Sequence, residues 1–120
     1  MIEGIQITAD GDITQVSLES GYRPLQAVVG GIVEAVSSRS GKTTLWSNEE
    51  AKILNPPLPA NPVGTYLLWL LNPAFRGHDF LSGTVVVTGG ADAEGRTLSI
   101  GAEALAALSL LIDRGEQRPA

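Results

Sequence analysis

Leu25-Gln26-Ala27-Val28-Val29-Gly30-Gly31-Ile32-Val33-Glu34-Ala35-Val36 is the stretch whose reading decides the fold. Leu25, Val28 and Val29 recur at i, i+3 and i+4, the spacing of one helical face. Pro24 fits a first helical turn, where its missing N–H would have no intrahelical partner. Gly30-Gly31 lets the backbone take positive φ and leave the helix. Ile32, Val33 and Val36 then suit a strand, with Glu34 on the face opposite Val33 and Ala35. A helix that passes into a strand across a glycine pair implies a helix packed on a sheet. No phosphate-binding pattern surrounds the pair, so close approach of a ligand to Gly30-Gly31 is the lesser reading.

Upstream, residues 2–18 read as a hairpin. Ile5 and Ile7 alternate with Gln6 and Thr8, Asp10-Gly11 supplies the turn, and Ile13, Val16 and Leu18 follow. Asp10 and Asp12 do not make a calcium loop, because the position that needs a bidentate Glu holds Gly21. Downstream, Ser37–Lys42 is a polar turn, and Thr43-Thr44-Leu45-Trp46 resumes as a strand. Pro56, Pro57, Pro59 and Pro62 forbid regular structure over most of 48–62. Asn48-Glu49-Glu50 reads as a tight turn, with a brief strand at Ile53-Leu54.

Residues 63–71 are the most apolar helix candidate. Leu67, Leu70 and Leu71 share one side, which Tyr66, Leu68 and Trp69 widen. A helix apolar on nearly all sides is central to a core or covered by a partner. Asn72-Pro73 ends it. Thr84–Thr88 is a β-branched, interior strand. A last helix spans about 100–113, capped by Ser99, with Leu105, Leu108 and Ile112 inward and Gly115 as its stop. The order β-β-α-β-β-α-β-α predicts an α+β fold, a small mostly antiparallel or mixed sheet of about five strands with three helices. One domain, 1–115, and a frayed tail, 116–120, are expected.

Composition narrows the chemistry. A chain of 120 residues hides roughly two-thirds of its unfolded surface. The absence of cysteine excludes disulfides, thiolate catalysis and cysteine-based zinc sites, and the single histidine, His78, cannot build a multi-histidine metal site. No cofactor is expected. A net charge of −5 argues against nucleic-acid phosphate and anionic membranes as partners. Without a signal-peptide pattern at Met1-Ile2-Glu3-Gly4 or an apolar run of bilayer length, a soluble cytosolic protein is expected.

Gly41-Lys42-Thr43 invites a phosphate-binding reading but lacks its context. The position that should hold the first glycine is Val36, and a strand rather than a helix follows the lysine. Arg76, His78 and Asp79 are the one cluster with acid–base character. Neighbours in sequence do not orient one another as a catalytic group requires, so a solvated loop is the better reading. Trp46, Tyr66 and Trp69 flank a loop whose polar rim includes Asn48, Glu49, Glu50 and Asn61. Aromatic anchors with a polar rim make a candidate protein-binding surface, against the plainer reading that the tryptophans are core.

Three segments taken in order resemble a small uncharacterised family of actinobacterial and actinobacteriophage proteins, a domain of unknown function. They are Leu25-Gln26 through Val36, Asn48-Glu49-Glu50 through Asn61, and Gly83-Thr84-Val85-Val86-Val87-Thr88-Gly89. The resemblance covers roughly residues 3–112 and departs at Ala51 and at Leu58-Pro59-Ala60. It implies a non-structural accessory protein of a phage or mobile element, acting in the host cytoplasm, and it brings no catalytic residues. The leading expectation is therefore a non-catalytic protein that binds a host or phage protein. An acidic DNA mimic and a small enzyme or ligand-binding protein using Arg76, His78 and Asp79 are the alternatives. A homodimer through Tyr66–Leu71 or the last helix is also expected to be possible, given a mean hydropathy of +0.13.

Overall fold

Alternating apolar residues build the first hairpin, β1 (Ile2–Ile7) and β2 (Ile13–Leu18). The computed structural model describes residues 1–116 of the chain. β1 and β2 pair antiparallel with Ile7 opposite Ile13, and Gly11 takes a φ of 93° in the turn between them. Helix α1 (Tyr22–Val29) follows and is closed by Gly30 in the left-handed region. A second hairpin, β3 (Val33–Ser37) and β4 (Thr43–Asn48), places Val36 opposite Leu45. Helix α2 (Pro62–Leu71), strand β5 (Val85–Gly89) and helix α3 (Ala102–Glu116) complete the order expected from sequence.

The five strands form one antiparallel sheet in the order β2-β1-β5-β4-β3. β5 lies between the two hairpins, and the whole strand is buried. Its β-branched run suits that place, since a central strand covered on both faces needs apolar side chains on both. Val85 and Val87 join Ile5, Ile7 and Leu45 on one face, beneath Leu67 and Leu68 of α2 and Ala104, Ala107 and Leu108 of α3. Val86 and Trp46 point to the other face, beneath Leu25 and Val29 of α1. The result is a sheet with one helix on one face and two on the other.

Several local expectations change. Ile53-Leu54 is not a strand. Both N–H groups bond back to the Glu50 carbonyl in a turn, and Ile53 is 78% exposed. The buried residues of α2 are Gly64, Thr65, Leu67 and Leu68, with Leu70 facing outward. In α3 the inner residues are Ala104, Ala107 and Leu108, while Leu105 and Ile112 are exposed. Two apolar stripes overlap on that helix, and the one containing alanine joins the core, where small side chains permit close approach to α2. Ser99 does not cap α3: its hydroxyl accepts the N–H of Glu3 in β1, 2.9 Å away. Gly115 does not end the helix, which runs on through Glu116. The rest of the expected tail, 117–120, lies outside the described residues.

Candidate functional site

The residues expected to form one protein-binding surface are divided between the two faces of the sheet and its interior. Trp46 lies under α1, 5.8 Å from the Tyr22 ring, and its indole N–H donates to Thr88 Oγ1 at 2.9 Å. It is core, because a buried indole with its single donor satisfied has nothing left to offer a partner. Asn48 is also buried. Its Oδ1 accepts the Glu50 N–H at 2.8 Å, and its Nδ2 points to the Val29 carbonyl at 3.4 Å, tying the turn after β4 to the end of α1. Gly31 makes room for this amide, since a Cβ there would fall 2.9 Å from Asn48 Nδ2. The Gly30-Gly31 pair is thus a helix stop beside a buried side chain. Glu49 and Glu50 are exposed at that turn.

Asn61 is buried completely at the start of α2. Its Oδ1 caps the helix by accepting from Gly64 N at 2.9 Å, and its Nδ2 donates to the carbonyls of Ile7 and Gly83 at 2.9 and 2.8 Å. Asn followed by Pro suits this place, an extended cap before a first-turn proline. One side chain therefore fastens α2 to the end of β1 and to the approach to β5. The expected polar-rim role of Asn61 gives way to an interior one, because three backbone groups buried there need a partner.

The cluster Arg76-His78-Asp79 does not converge. Asp79 is committed to Lys52, whose Nζ lies 2.6 Å from Oδ1 and 4.1 Å from the Phe80 ring centroid. The hydrogen bond from Lys52, helped by the Phe80 N–H and the lysine charge and opposed by burial, holds the Asp79 carboxyl below its usual range. His78 is exposed. Arg76 turns to a different feature, described below. The Gly41-Lys42-Thr43 loop is also occupied from within. Ser38, Ser40 and Thr43 donate to the Glu103 carboxylate at 3.0, 2.5 and 2.7 Å. These bonds, led by that of Ser40, depress the Glu103 pKa against the opposing effect of burial. Among the described residues no cluster of three or more His, Asp and Glu is placed to hold a metal ion, and no helix is long and apolar enough to cross a membrane.

What stands out is the outer face of α2. Pro62, Val63, Tyr66, Trp69 and Leu70 line a groove of about 730 Å³ with Leu111 and Ile112 of α3 and Gly11 and Ile13 of the first hairpin. Tyr66, Leu70 and Ile112 are 43%, 40% and 41% exposed. Tyr66 and Trp69 meet edge to face with centroids 5.7 Å apart, and the Trp69 N–H is satisfied by the Asp79 carbonyl at 2.8 Å. Among the described residues, Arg76 is the only charged one in the lining. Of the expected binding residues, Tyr66 and Trp69 are brought together here, while Trp46, Asn48, Glu49, Glu50 and Asn61 do not line the groove. Ile112, expected to face inward, lies exposed in this lining. The signal that could have found the groove was the apolarity of α2 on all sides.

Fold and surface define a small α+β domain whose distinguishing feature is an apolar groove on its two-helix face. The chain belongs to the DUF3846 family, a domain of unknown function, whose family model matches residues 2–112. That agrees with the expected membership of a family of unknown function. Comparison with curated proteins finds no match, and comparison with solved structures finds none either.

Proposed function

We propose that this chain is an accessory protein of an actinobacterial phage or related mobile element. In this reading it acts in the host cytoplasm, without catalysis, by binding a host or phage protein through the outer face of α2. The observation that carries the proposal is the character of that face. A helix on a protein surface normally turns charged side chains to water. α2 instead presents Tyr66, Trp69 and Leu70 and carries no charged residue along Pro62–Leu71. Aromatic side chains beside an arginine are also the residue types that dominate binding energy at interfaces.

The acidic DNA mimic ranks lower. Among the described residues, Asp79, Asp92 and Glu94 are ion-paired, and Glu3 and Glu103 accept hydroxyl hydrogen bonds, so five carboxylates are already engaged. Mimicry would need a dense run of free ones.

The test compares immobilised wild-type chain with Leu70→Glu and Tyr66→Ala in host and phage lysates. The expected result is a discrete protein retained by wild type and lost with either variant, with thermal stability within about 0.5 kcal/mol of wild type because both sites are surface positions. Identical retention by all three chains would refute the reading.

A further inference from the structure

We infer that the groove is built to receive a second copy of this chain, with the two α2 helices antiparallel across a twofold axis. The inference rests on the reading of the α2 outer face as a contact surface, and it names an occupant. Its basis is that the two ends of one apolar stripe carry opposite charge.

At the N-terminal end of α2 the groove is bounded by the turn of the first hairpin. Gly11 is part of the lining, and a Cβ there would sit 4.0 Å from Val63. Asp10 and Asp12 flank that glycine, and both are exposed. At the C-terminal end the chain leaves α2 through Pro73–Phe75, a single 3₁₀ turn, and Arg76 follows in the lining. Among the described residues neither Arg76 nor the two aspartates takes part in an ion pair. The helix between the two ends has ten residues, or about 15 Å of length.

A twofold contact is isologous: whatever residue i meets on the partner, the partner's residue i meets here. Laying α2 antiparallel on its copy brings each N-terminal end over the other's C-terminal end. Arg76 of each copy then faces Asp10 and Asp12 of the other, twice per dimer. Tyr66, in the middle of the helix, lies close to the axis and meets its own counterpart. A parallel arrangement would instead set arginine against arginine and aspartate against aspartate, which like-charge repulsion disfavours. The dimer covers Tyr66 and Leu70, so it competes with any other protein for the same face.

Sedimentation equilibrium of the full chain across a concentration series tests the proposal. Wild type is expected to dimerise. Arg76→Glu is expected to raise the dimer dissociation constant about tenfold or more, and so is the double variant Asp10→Arg with Asp12→Arg. Each variant alone opposes like charges. Mixed with one another they restore opposite charges at both cross-contacts, so the mixture is expected to form a heterodimer of near wild-type affinity. Because the chain has no cysteine, Tyr66→Cys provides a second readout. It should form a disulfide-linked dimer under mild oxidation, whereas Ala106→Cys, on the exposed side of α3, should not.

A monomeric wild type, variants that dimerise like wild type, or a mixture that stays monomeric overturns the dimer. A failed dimer with Leu70-dependent capture of another protein leaves the functional reading standing. A dimer rescued by charge exchange, with no such capture, removes the functional reading and keeps the dimer.

Discussion

Helices α1 and α2 cover opposite faces of the same sheet and handle water differently. α1 buries Leu25 and Val29 and turns Arg23, Gln26 and Ala27 outward, the ordinary pattern of a surface helix. α2 buries Gly64, Leu67 and Leu68 and turns Tyr66 and Leu70 outward. The sheet requires one apolar stripe from each helix. It takes Leu25 and Val29 of α1, leaving Tyr22 exposed at the helix start, and it takes only part of the apolar surface of α2. The polar groups run the other way: the interior at the start of α2 holds Asn61, whereas the N-terminal position of α1 is Gly21, with no side-chain cap. The lesson is that α2 is anchored by a buried polar residue and left apolar where it meets solvent.

The comparison can be broken most sharply at the anchor. Asn61→Ala leaves the Ile7 and Gly83 carbonyls and the Gly64 N–H without their partner. A loss of about 3 kcal/mol or more is expected in denaturant unfolding; a loss below about 1 kcal/mol would mean that the anchor is dispensable. Under α1 the equivalent probe is Trp46→Phe, which removes the indole donor but leaves most of the ring. Thr88 Oγ1 keeps its own bond to the Gly89 carbonyl at 3.0 Å, so the cost is expected to be smaller, about 1–2 kcal/mol by the same unfolding measurement. The smallest effect belongs to the first turn of α3, where Glu103→Gln is expected to cost about 1 kcal/mol at neutral pH.

That last variant carries a pH signature. The folded-state pKa of Glu103 is depressed below its ordinary 4.5, so its stabilising effect is complete above the unfolded value. It fades as pH falls through the lowered folded one. The difference in stability between wild type and Glu103→Gln should therefore shrink steadily as acid is added below the ordinary carboxylate range. A difference that stays constant through that window would show that the three hydroxyls do not favour the ionised form.

The order of strands and helices was legible in the sequence because each rests on local signals. Ile5 and Ile7 alternate, Asp10-Gly11 turns, Leu25 and Val29 share a helical face, and Val85-Val86-Val87 is β-branched throughout. The α+β class and the interior place of β5 follow from those signals. The inner face of α2 was not legible, because a helix apolar on every side carries no periodic contrast to tell inside from outside, and that of α3 was not, because two apolar stripes overlap on it. Nor was the separation of Trp46 from Tyr66 and Trp69, since residue type is the same in a core and at an interface. Tertiary structure decided these through pairings distant in sequence: β5 between the hairpins, the Asn61 amide on Ile7 and Gly83, and the alanines of α3 in the core beside α2. Local conformation depends on neighbours a few residues away, which any sequence displays. Which apolar surface remains facing water depends on what is already covered, and only the packed fold determines that.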